Sequence, residues 1–188
     1  VLGKDKGLIA AFVVIIVLTA TAWWGGEHLD GALDLHINLE RPSAGLVIME
    51  SLVDWICLAG VLFALSRFFG GNGGIAGHFA ATGVGRFPMI IAALVGSRHL
   101  LGAAMLKAIT VKREEIVLHP QAINAPALII AGLLIVGLVA WSVVMLVYGF
   151  KEVSRLKGGQ LGAAFVIGIL LAEIVSKLVL LPVFKAGI

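Results

Sequence analysis

Apolar residues in this chain do not alternate with polar ones. They gather into long, continuous runs separated by short polar stretches. A helix that crosses the hydrocarbon core of a bilayer needs about 20 mostly apolar residues. Five segments meet that requirement, at roughly 7–24, 44–66, 87–107, 126–150 and 161–184. Pro88 and Pro126 open the third and fourth at positions that the first turn of a helix tolerates, and Pro182 falls near the end of the fifth. Spanning strands would be shorter and would alternate in polarity. The pattern predicts an all-α fold: one polytopic transmembrane bundle of about five helices.

The connections contrast with the runs. Residues 25–43 carry Glu27, Asp30, Asp34, Glu40 and Arg41. Residues 67–86 are glycine-rich and contain the run GGNGGIAG, read as a flexible connection or re-entrant turn. Residues 112–124 and 151–160 are charged. Lys and Arg are enriched on cytoplasmic loops. With the N-terminus inside, seven such residues (Lys4, Lys6, Arg67, Arg86, Lys151, Arg155 and Lys157) face five (Arg41, Lys107, Lys112, Arg113 and Lys185). The expectation is therefore a cytoplasmic N-terminus, with Trp23 and Trp24 at the opposite interface.

Composition reinforces the membrane reading. Hydrophobic residues make up 60% of the chain and charged ones 13%, against about 25% in an ordinary soluble domain. Mean hydropathy is +1.08. The net charge of +3 is scattered over the loops, so no nucleic-acid partner is expected. Cys57 is the single cysteine, which excludes an intrachain disulfide and a CxxC motif. No A-x-A-like cleavage site follows the first run, so it reads as a retained span.

Ionisable residues inside the runs are the most informative. A charge at mid-bilayer costs about 2.5–3.5 kcal/mol on insertion scales, so such residues turn inward and pair. The second run holds Glu50 and Asp54, the third Arg98 and His99, the fifth Glu173 and Lys177. Spacing of four puts Glu50 with Asp54, and Glu173 with Lys177, on one helical face. A polar seam is expected where spans two, three and five meet. It would fix helix register or, alternatively, relay a proton or bind a cation.

Ala164, Gly168, Ala172 and Ser176 form a small-residue stripe on the fifth run, expected to receive a neighbouring helix of the same bundle. In the first connection, His28 and His36 are weak metal candidates whose spacing matches no defined site, so no metal site and no cofactor are expected. No G-x-S-x-G, HExxH or phosphate-loop ending occurs, which argues against an enzyme.

Residues 83–88 (GVGRFP), following the glycine-rich loop, resemble the start of the third span of the Yip1 domain. Residues 141–156 (WSVVMLVYGFKEVSRL) resemble the end of its fourth span, where a lysine-bearing turn precedes a small-residue-rich fifth. The resemblance runs roughly from residue 8 to residue 184. It implies a five-span membrane protein with a cytosolic N-terminus, acting in membrane organisation or trafficking through protein or lipid partners or a second copy. Eukaryotic members bind Rab-type small GTPases. Here the hydrophilic N-terminal region is reduced to a few residues around Lys4 and Lys6, which argues against GTPase binding and for a prokaryotic member in the cell (inner) membrane. The alternative is a small transporter, channel or lipid-moving protein that uses the charged seam.

Overall fold

The computed structural model describes residues 4–29, 31, 33, 36–37, 41–100, 102, 109–112, 115–118 and 125–185. Helix α1 (Lys4–Gly25) is followed by the two-residue strands β1 (Glu27–His28) and β2 (His36–Ile37). Then come α2 (Ala44–Phe68), α3 (Ile75–Gly85) and α4 (Phe87–Gly96). The strands β3 (Ile109–Lys112) and β4 (Glu115–Leu118) precede α5 (Ala125–Ser154) and α6 (Gly158–Lys185). Both strand pairs are antiparallel, with His28 opposite His36 and Lys112 opposite Glu115. Among the described residues, five helical stretches are long and apolar enough to cross a membrane, α3 and α4 together forming the third. The hairpins lie at one end of the bundle, and the glycine-rich loop and the α5–α6 turn lie at the other.

The third span corrects the expectation from sequence. It runs over Ile75–Gly96 and not over residues 87–107. Pro88 does stand in the first turn of a helix, but that helix is only the second half of the span. A proline ring clashes with the carbonyl four residues back and offers no N–H. The helix therefore breaks at Arg86, with φ −84° and ψ 1°. The carbonyl of Gly85, released by the break, accepts a 2.7 Å hydrogen bond from the Ser142 hydroxyl on α5. At the far end Ser97 leaves helical geometry (φ −51°, ψ 153°). Residues 101 and 103–107 of the predicted span lie outside the described residues.

The broken span occupies the middle of the bundle, with α1, α2 and α5 against it; α6 packs chiefly on α2. Its glycines make this closeness workable. A Cβ on Gly83 would stand 2.4 Å from that of Ala11 on α1, and one on Gly85 would stand 2.5 Å from Leu146 on α5. On α5 only a stripe recurring every fourth residue is buried: Leu138, Ser142, Leu146, Phe150 and Ser154. The rest of α5 is apolar and open, as at Ile130, Leu133 and Val136, each more than 60% exposed. So large an uncovered apolar surface suits lipid and not water.

Sequence signals explain the helix ends. Ser43 caps α2 by accepting from the Leu46 amide at 3.2 Å. Gly70, at φ +86°, turns the chain away after it. The glycine run is a close-packed connection and not a loose one. The Asn72 amide donates to the Ser154 carbonyl at 3.2 Å, and a Cβ on Gly73 would meet the Val153 carbonyl oxygen at 2.2 Å.

Candidate functional site

Helix α2 carries Glu50 and Asp54 on one face, both buried. At about 1.5 Å per residue, Glu50 lies about 9 Å from the hairpin end of α2, and Asp54 about 15 Å from it. The first connection folds back to meet Glu50. The His28 ring nitrogen Nδ1 lies 2.7 Å from its Oε1, and the Leu29 amide donates to its Oε2 at 3.1 Å. One carboxylate thus fastens the chain after α1 to the inside of α2.

The bases of the third span are not placed as expected. Sequence placed Arg98 and His99 in the middle of the third span. They lie instead in the turn after α4, at the hairpin end of the bundle. The Arg98 amide donates to the Gly25 carbonyl at 2.9 Å, its side chain lies over Gly26, and His99 stacks on Trp24 with ring centroids 4.2 Å apart. The base inside the span is Arg86, which sequence reading assigned to a loop. Arg86 is 2% exposed and sits at the helix break, about 15 Å from either end of the span. The charges of Asp54 and Glu173 both act on it.

Glu173 and Lys177 pair along α6 at 2.9 Å, and Lys177 is nearly half exposed. Glu173 also touches the first connection: a Cβ on Gly31 would fall within 2.6 Å of both carboxylate oxygens. Of the expected seam, Glu50 and Asp54 lie buried on α2, and Asp54 and Glu173 of α6 are within electrostatic reach of Arg86 at the break. Arg98 and His99 follow α4, beyond the third span.

Glu27 lies in the first connection, beyond the spans, and is fully buried. Neither carboxyl oxygen has a hydrogen-bond partner among the described residues. Burial pushes this carboxyl from 4.5 up to about 8, because removing water penalises the charged form. His28 and His36 stack across the β1–β2 pair at 5.4 Å. Among the described residues, no group of three or more His, Cys, Asp or Glu is arranged to hold a metal; Asp30 and Asp34 lie outside them.

The small-residue stripe faces α2. Ala164, Gly168, Ala172 and Ser176 are buried, and a Cβ on Gly168 would lie 2.5 Å from the Leu62 side chain.

Sequence reading missed Arg86 and the buried histidine His78 because three glycines and a histidine dilute the apolar run over Ile75–Gly85. The available signal was Arg86 itself, two residues before a proline and flanked on both sides by apolar runs.

A broken central helix, buried ionisable groups and five lipid-length spans define a polytopic helical membrane protein. The Yip1 domain family model matches residues 3–181. The chain belongs to the Yip1 domain family. No curated protein and no solved structure matches it.

Proposed function

We propose that this Yip1-domain chain is a non-catalytic membrane protein that acts in membrane organisation or trafficking through protein or lipid partners. One observation supports the reading above others: the buried ionisable groups are placed where elements join. Glu50 holds the first connection through His28 and Leu29, and Arg86, buried where the backbone is broken, lies within electrostatic reach of Asp54 on α2 and Glu173 on α6. None of these groups lines the grooves along α1, α2 and α3. Buried ion pairs commonly fix register in this way.

The revised third span alters the orientation argument. With Arg86 inside the membrane and Arg98 beyond it, six residues (Lys4, Lys6, Arg67, Lys151, Arg155, Lys157) face six (Arg41, Arg98, Lys107, Lys112, Arg113, Lys185). A cytoplasmic N-terminus is then supported by the family resemblance alone.

The test is reconstitution of the full chain into liposomes. Proton, ion and labelled-lipid flux should all equal that of protein-free vesicles. A second reading, a small transporter or lipid-moving protein, draws support from the break at Arg86, since transporter sites use discontinuous helices. Flux above background that disappears in Asp54→Asn or Arg86→Gln would replace the first reading with the second.

A further inference from the structure

Helices α1 and α2 separate on the membrane side to leave a groove of about 600 Å³. Phe12, Ile16 and Ala20 of α1 and Ile48 and Leu52 of α2 are among its walls, and all five are exposed. Thr19 is its one polar lining residue. Its hydroxyl is turned away from the groove, bonded to the Ser51 hydroxyl at 2.6 Å and to the Ile15 carbonyl at 2.7 Å. The surface left to an occupant is almost entirely hydrocarbon.

The length of the groove is informative. From Phe12 to Trp23 the axis of α1 advances about 16 Å, and one leaflet of the hydrocarbon core is about 15 Å deep. Trp23 closes the groove at the membrane surface, the level that tryptophan favours. Above it stands Arg41, exposed, with its guanidinium 5.2 Å from the Trp23 ring centroid and its Nη2 donating to the Trp23 carbonyl at 3.3 Å. A guanidinium has five N–H donors, so most of this fork remains available to an anion at the mouth.

We infer that the α1–α2 groove is a binding site for one glycerophospholipid, with an acyl chain lying between Phe12 and Trp23 and the phosphate on Arg41. Charge complementarity at a mouth set one leaflet's depth above the groove floor distinguishes this surface from the open faces of α5 and α6. Arg41 is held by Trp23 before lipid arrives, so less side-chain freedom is lost on binding. The site stands whether the chain works as a scaffold or as a transporter.

The experiment is native mass spectrometry of the delipidated full chain in detergent, supplied with dioleoylphosphatidylglycerol or with dioleoylglycerol, which has the same chains and no phosphate. The phospholipid should be retained preferentially. Arg41→Ala should lower its retention about fivefold, the effect of roughly one surface cation on an anionic lipid. Ala20→Phe, which fills the groove from an exposed position, should lower retention of both lipids. Equal retention of the two lipids, or unchanged retention in either variant, would overturn the assignment. So would a lipid-free dimer that Ala20→Phe dissolves, since the groove would then receive a second copy. A photoactivatable phosphatidylglycerol on the unaltered chain should label residues 12–23 and 44–52, and labelling confined to α5 and α6 would be equally fatal.

Discussion

Glu27 shows how much one side chain's surroundings can matter. It is charged in an unfolded chain at neutral pH but sits where charge is penalised. Its carboxyl titrates near 4.5 when solvated and near 8 when folded. Between those values the folded chain holds the extra proton, so stability falls as pH rises through the window and levels off above it. Glu27→Gln cannot ionise. In detergent it should raise the melting temperature at pH 8.5, by an amount corresponding to a few kcal/mol, and leave it nearly unchanged at pH 4.5. Equal effects at the two pH values would show that the carboxyl is not buried in the folded chain. Glu50 stands 23 positions further on, within α2. It is just as buried, yet it meets a histidine ring and a backbone amide. Its place on the face shared with Asp54 was legible from the spacing of four. Its partner was not, because His28 reaches it only when the first connection folds inward.

At the level of elements, close helix contact explains more than hydrophobicity does. The α2–α6 contact is lined by the small side chains of Ala164, Gly168, Ala172 and Ser176, and Leu62 fills the space over Gly168. Gly168→Leu should push the helices apart and destabilise the chain by about 1–3 kcal/mol. Gly132→Leu on α5 is the control, since a side chain there meets nothing within 4 Å. Thermal unfolding in detergent should separate the two, and identical midpoints would mean that α6 does not dock on α2 by this face. The stripe was readable because its period of four matches a helix face. The break at Arg86 was harder to read. Pro88 signalled a helix start correctly, but a helix start inside a span looks the same in sequence as one at its edge.

For the molecule as a whole, the central feature is a charged cluster at about the same depth on three different spans. Asp54 and Glu173 act on Arg86, so the three neutralisations should not be additive. Arg86→Gln takes this cation from Asp54, while Glu173 keeps Lys177, and should cost about 3–5 kcal/mol. Asp54→Asn leaves Arg86 with Glu173 and should cost less. The double variant should be more stable than Arg86→Gln alone, because one stranded charge is gone. Unfolding midpoints of the four proteins form the cycle, and simple additivity would dissociate Asp54 from Arg86.

The sequence by itself determined the solvent of this protein, its helical class and four of its five apolar runs. Those follow from local quantities: run length, hydropathy, and helical spacing. It also identified the acids Glu50, Asp54 and Glu173, since an ionised group within an apolar run stands out without further context. Only the tertiary structure decided which base answers them. Arg98 and Arg86 each flank the apolar run 87–96, and nothing local distinguishes the one at the membrane surface from the one at its middle. The difference arises because α1 and α5 close on the glycine-rich half of the third span and bury it, which makes a span of residues that look like a loop.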